Sequence, residues 1–195
     1  MGKYSEENIS RIGNAAIYIA KHTNSLSKTK LLKLLYLMEE RSALRYHQPF
    51  LCLPYEVWQA GPVAKDIYID ISDGGVLLSK YVKVVNDKDA QYVLPVAAFD
   101  DEDFSTNEIR LMDEVLAEYG GKTAKELVEI THKKGSLWYR TAEKNGLLEA
   151  FRKHECNNSS FLIDFTEDMS SCSAEYYQEA VEVHNASNAY NTGHV

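Results

Sequence analysis

The first part of the chain places apolar residues at helical spacing. Ile9, Ile12, Ala16 and Ile19 lie three or four positions apart, which is the spacing of one helix face and predicts a first helix. Gly13 lies within this segment, and its missing side chain would let another stretch of backbone come close.

A second apolar run follows a polar break at residues 22–27. One helical stripe is apolar throughout, and further leucines and a tyrosine make other faces apolar too. A helix that is apolar on most sides usually lies at the centre of its domain, so we expect this one to be central. The stripe consists of Leu31, Leu34, Leu35 and Met38.

The pair Gly61 and Pro62 indicates a helix start, because a proline at the first helical position gives up only an amide hydrogen that would be unpaired anyway. We predict a short helix over 63–71 that stops near Gly74 and Gly75.

Valines and tyrosines at 80–86 and 91–98 predict two strands, and the polar turn at 86–89 joins them into a hairpin. Pro95 places the second strand at a sheet edge, because proline has no amide hydrogen to donate.

Two capping boxes predict the starts of two more helices. Ser105 with Glu108, and Thr123 with Glu126, fit the S/T-x-x-E pattern in which side chains bond the free amides of a first helical turn. The first of these helices carries an apolar stripe at Ile109, Met112, Leu116 and Tyr119 and ends at Gly120 and Gly121, and the second runs toward Thr131 and His132.

The periodic pattern weakens beyond Gly146. Residues 161–165 form a short apolar piece, and residues 174–186 predict a last amphipathic helix. The tail at 187–195 is rich in asparagine and lacks an apolar face, so we expect disorder there. The chain is expected to be a single domain over 1–186, of the mainly α-helical α+β class, with one small antiparallel β-hairpin on a compact helical body.

The net charge restricts the choice of partner. The chain has 29 acidic and 21 basic residues and a formal charge of -8, which repels phosphate backbones and anionic lipid. Nucleic acid and membrane are therefore disfavoured, and a basic protein surface is favoured.

The three cysteines, Cys52, Cys156 and Cys172, are far apart and have no zinc-ligand spacing, so we expect no disulfide framework, no metal and no cofactor. The first ten residues lack the apolar core of a signal peptide, and no stretch approaches the ~18 apolar residues of a membrane helix. We expect the reducing cytoplasm of a bacterium, or of a cell infected by a phage that encodes the chain.

The short motifs that identify common enzyme classes are absent. The carboxylates at 100–103 could suggest a metal site, but their place before a predicted helix favours a solvated helix start. His132 is the most enzyme-like residue, since an oriented imidazole can act as a general base, yet its place near a helix end favours a structural role. Trp58 is either a core residue or part of an interface, and the core is favoured.

Three motifs in order resemble one family. They are K-L-L-K-L-L-Y at 30–36, W-Q-A-G-P-V at 58–63, and Leu127 followed by Thr131, His132 and Trp138. Together they resemble the Panacea domain of SocA-like antitoxins, over residues 9–141. The resemblance gives eight candidate residues for the family motif or for partner binding: Tyr36, Trp58, Gly61, Pro62, Val63, Thr131, His132 and Trp138.

The resemblance implies an antitoxin or phage-associated protein that neutralises a toxin encoded by a neighbouring gene, by direct binding or by delivering it to a protease. It implies no enzymatic activity, and no catalytic residue is assigned. Two alternatives stay open: a hydrolase-like enzyme that uses His132 as general base, and a phage-associated regulator that binds DNA, which would need a basic stripe on one face.

Overall fold

The structure, a computed structural model, describes residues 4–87 and 90–192. Within these residues, helices dominate and two antiparallel sheets have two strands each, which confirms the predicted mainly helical α+β class. The elements in chain order are α1 Glu6–His22, α2 Lys28–Tyr46, β1 Glu56–Trp58, β2 Gly61–Val63, α3 Lys65–Ser72, β3 Val82–Asp87, β4 Ala90–Pro95, α4 Thr106–Tyr119, α5 Ala124–Thr131, α6 Leu137–Lys144, α7 Leu147–Arg152 and α8 Ser171–Thr192.

Helix α2 lies at the centre of the fold, as predicted. It packs against α1, α3, α4, α5 and strands of both sheets. Ser27 caps its first turn by accepting the amide hydrogen of Lys30, and most of its residues are buried. Burial of each large apolar side chain contributes about 1.5–3 kcal/mol, so this helix supplies much of the stability of the domain.

The close approach expected at Gly13 is made by a side chain and not by a backbone segment. The ring of Tyr81 occupies the space that a Cβ at Gly13 would need. This contact holds the start of the β3–β4 hairpin against α1.

The helix start predicted at Gly61 and Pro62 is wrong. These residues form β2, which pairs antiparallel with β1, and α3 begins only at Lys65. Gly61 has a φ of +95°, which a right-handed helix cannot accommodate. Pro62 sits opposite Val57 in a strand of three residues, too short to show a strand pattern in the sequence.

Both strands of the second hairpin form as predicted, with Val82 opposite Pro95 and Asp87 opposite Ala90. Part of the predicted turn, residues 88 and 89, lies outside the described residues. The hairpin is tied to the helical body where Val93 donates its amide hydrogen to the carbonyl of Leu26, 2.7 Å away.

Both predicted capping boxes are present at the starts of α4 and α5. The sequence pattern did not predict α6 and α7, which follow α5 as two short helices. The apolar piece at 161–165 lies beside β1: the amide of Val57 donates to the carbonyl of Phe161, and the amide of Ile163 donates to that of Tyr55, both at 2.9 Å.

Helix α8 is longer at both ends than the predicted 174–186, and it extends six residues into the tail for which disorder is expected. The amide of Ser5 donates to Oδ1 of Asn188 at 2.6 Å, so the residue that caps α1 supplies a tertiary partner that the local pattern does not reveal. Residues 193–195 lie outside the described residues. In the part of the chain that the structure describes, no helix has the length and apolar character needed to cross a bilayer.

Candidate functional site

The motif residues meet at the turn between β1 and β2. Three side chains from three different helical segments contact carbonyl oxygens of this hairpin, each at a nitrogen–oxygen distance of 2.8–3.0 Å. Lys33 of α2 donates Nζ–H to Pro62, His132 at the end of α5 faces Gln59 through Nε2, and Trp138 of α6 donates its indole N–H to Trp58. We call these three side chains and the turn at 58–62 the motif cluster.

Gly61 is required in the motif cluster by its backbone conformation and by the lack of space. With φ at +95°, it adopts a conformation that residues with a side chain rarely take. A Cβ there would lie 2.8 Å from Cε of Lys33, 2.9 Å from Oγ1 of Thr131 and 3.2 Å from Cε1 of His132. The absent side chain lets α2 and α5 close on the turn.

Both ring nitrogens of His132 face backbone carbonyls. Nδ1 lies 2.6 Å from the carbonyl of Val128, Nε2 lies 2.9 Å from that of Gln59, and the ring packs on Trp138 with centroids 3.7 Å apart. Burial lowers the pKa of His132 below its ordinary value, and the nearby charge of Lys33 acts in the same direction. The contacts with the two carbonyls act in the opposite direction and raise this pKa. Each nitrogen is directed at the chain's own backbone.

Lys33 is a buried cation that the sequence analysis did not single out as a site residue. It is 1% exposed, and its described hydrogen bond is to Pro62. Burial lowers its pKa to about 7, because removing the ammonium group from water disfavours the charged form. The signal in the sequence was a lysine in the middle of an apolar helix. Because lysine is usually a surface residue, the helical pattern alone did not indicate that Lys33 is buried.

Trp58 is half-buried. Its indole N–H donates to Oε2 of Glu56 at 2.8 Å, and its ring meets Tyr68 edge-on with centroids 5.1 Å apart. The side chain is thus partly buried and packs against the core, and the backbone carbonyl of Trp58 belongs to the motif cluster.

Not all of the remaining candidate residues from the sequence analysis lie near the motif cluster. Thr131 lies beside Gly61, and buried Val63 ends β2. Tyr36 contacts other residues: its hydroxyl donates to Glu40 at 2.6 Å, and its ring packs against Tyr55. Tyr36 thus supports the core one turn further along α2, away from the turn at 58–62.

Three of the four carboxylates at 100–103 are exposed, as expected for a solvated helix start, and only Asp103 is half-buried. Asp103 accepts hydrogen bonds from Ser10 at 2.8 Å and from Asn14 at 2.6 Å, which ties the loop before α4 to α1. Among the described residues, no group of three or more histidine, cysteine, aspartate or glutamate side chains is arranged to hold a metal ion.

The structure is a mainly helical domain. The side chains of its motif cluster contact backbone carbonyls of the same chain. The sequence model of the family described as antitoxin SocA-like, Panacea domain, matches residues 31–139, which is more than half of the chain. The chain belongs to this SocA-like antitoxin family. Comparison with curated proteins and with solved structures gave no match.

Proposed function

We propose that this chain is an antitoxin that binds a cognate toxin stoichiometrically and thereby neutralises it. The observation that carries the proposal is family membership over residues 31–139, a span that contains the whole motif cluster. Because the polar groups of Lys33, His132 and Trp138 are engaged with the hairpin backbone, their contribution is to shape a binding domain.

The toxin partner is expected to be basic where it meets this chain. The formal charge of -8 attracts a positive surface over long range and accelerates encounter. The same charge disfavours the alternative of a DNA-binding regulator. We place the interaction in the cytoplasm, where a protease could also remove the delivered toxin.

The alternative of a hydrolase rests on His132 as general base. A general base needs a nitrogen with a free lone pair in reach of the substrate proton. Both nitrogens of His132 face the chain's own carbonyls, so the nitrogen that keeps its lone pair is directed at a carbonyl oxygen and not at a substrate proton, which supports the binding role over the catalytic one.

To test the proposed antitoxin function, the neighbouring reading frame is expressed alone and together with this chain. We expect growth arrest from the neighbour alone and rescue by co-expression. Size-exclusion chromatography of the co-expressed pair should show a 1:1 complex if binding neutralises. If delivery to a protease neutralises, the toxin should instead disappear and should return in a protease-deficient host. A harmless neighbour across several hosts would refute the antitoxin proposal.

A further inference from the structure

A cleft of about 530 Å³ lies between α8 and two segments that flank β1, residues 52–55 and 162–166. Ligand-binding clefts in proteins commonly have this volume. Its wall is mostly apolar, and much of it comes from residues beyond 139, where the match to the family ends. The apolar part of the wall includes Leu53, Tyr55, Ile163, Phe165, Tyr177 and Val181.

One rim of the cleft is a free strand edge. Leu162 pairs with Glu56 in an antiparallel bridge, and the hydrogen bonds to β1 are made by its two neighbours, Phe161 and Ile163. In such a pair, the N–H and C=O groups of the central residue point away from the partner strand. Leu162 is 55% exposed, and the described backbone hydrogen bonds do not use its N–H or C=O group, so this edge is open to a further strand.

The cleft is also acidic. Asp164 and Glu182 line it, and its described lining includes no lysine and no arginine. Burial raises the pKa of Tyr177 above its ordinary value, and the charge of Asp164 acts in the same direction, which places negative potential at the wall. A cation that enters the cleft would therefore meet favourable charge.

Helix α8, which forms the other wall, presents a stripe of residues to the cleft. Tyr177, Val181, His184 and Asn188 recur at helical spacing along this wall. Of these, only Tyr177 is buried, and half-buried Val181 leaves apolar contact area available to a bound segment. His184 and Asn188 already contact Asn8 and Ser5 at the start of α1.

We propose that this cleft is where the toxin docks, through an extended segment that adds a strand at Leu162 and carries a lysine or arginine beside apolar side chains. The strand edge supplies main-chain hydrogen bonds, the apolar wall supplies pockets for alternate side chains, and Glu182 with Asp164 supplies charge complementarity. This inference rests on the proposed function and names the surface through which the chain binds the toxin.

The test measures the affinity of the purified full chain for the toxin identified by arrest and rescue, using titration calorimetry. Glu182→Lys reverses the charge of the rim, and we expect it to weaken the complex by about tenfold or more at low salt. Leu162→Pro removes the outward N–H and leaves both hydrogen bonds to β1 in place, so it should weaken the complex by a similar factor. Thermal melting of each free variant verifies that it is folded.

Glu179→Lys is the matched control, because Glu179 is an exposed glutamate of the same helix that does not line the cleft. It should bind the toxin as the wild type does. If the wild-type chain binds and all three variants bind equally well, the docking site is overturned while the antitoxin function stands. If the cleft variants change self-association of the chain instead, a second copy occupies the cleft and the inference is wrong. Failure of the wild type to bind any arresting neighbour would overturn the proposed function and this inference with it.

Discussion

Trp138 donates its indole N–H to the backbone carbonyl of Trp58, 3.0 Å away and 80 positions earlier in the chain. The same Trp138 ring packs on His132, which reaches the next carbonyl of that hairpin, at Gln59. One tryptophan therefore fixes α6, the end of α5 and the β1–β2 turn relative to one another. The predictions below separate the contributions of this arrangement.

Trp138→Phe keeps an aromatic ring beside His132 and removes the indole N–H that donates to the backbone carbonyl of Trp58. We expect a loss of about 1–3 kcal/mol in the free energy of unfolding, since the carbonyl of Trp58 loses its donor and the smaller ring leaves space in the core. Urea unfolding followed by circular dichroism measures this loss. Tyr139→Phe, a neighbouring aromatic change in α6, should cost less than about 0.5 kcal/mol. Equal losses in the two variants would contradict the role of the indole hydrogen bond.

Gly61→Ala should destabilise the protein by about 2 kcal/mol or more, because the new Cβ strains the backbone and meets Lys33 and Thr131. Gly74→Ala is a matched control: Gly74 has nearly the same φ, +94°, and a Cβ there has nothing within 4 Å. It should show only the backbone cost, about 1 kcal/mol. Thermal and urea unfolding compare the two, and a Gly74→Ala variant as unstable as Gly61→Ala would show that packing at the turn is unimportant.

His132→Gln should lower stability mildly and preserve rescue from the toxin. Glutamine retains a hydrogen-bonding side chain but cannot perform the acid–base chemistry of an imidazole. The measurements are the melting temperature, toxin affinity and rescue in co-expression. A variant with wild-type stability and affinity that no longer neutralises would put the enzyme hypothesis first.

Lys33 should make stability rise with pH above neutrality. Its pKa is about 7 in the folded protein against an ordinary 10.5, so between these values the unfolded chain binds more protons than the folded protein. The free energy of unfolding therefore increases as the pH rises through this window. Lys33→Met removes the titrating group, and its free energy of unfolding should rise less between pH 7 and about pH 9.

The comparison is restricted to pH values below about 9 because burial raises the pKa of the Cys52 thiol to about 12, which lowers stability at higher pH as the unfolded thiol ionises. Urea unfolding at several pH values provides the data. Lys28→Met, at the half-exposed start of the same helix, should keep the pH dependence of the wild type. Parallel curves for Lys33→Met and the wild type would disprove a buried Lys33 with a lowered pKa.

The sequence by itself determined the elements whose signals are local and repeated. Helices α1, α2, α4 and α5 carry apolar stripes or capping boxes, which act within one or two turns of the chain and need no distant partner. The β3–β4 hairpin is similarly encoded by two valine-rich strands joined by a short polar turn. The three motifs also indicated the family, because their order and spacing lie in the sequence itself.

Only the tertiary structure decided what those motifs do. Strands β1 and β2 have three residues each and α7 has six, too few positions for a period to appear. The low pKa of Lys33, the contact of His132 with Gln59 and the hydrogen bond from Trp138 to Trp58 depend on segments 29 to 80 positions apart that meet only after folding. The cleft beside α8 has the same origin, because burial and electrostatic potential are properties of neighbours in space, and no local pattern of residues specifies them.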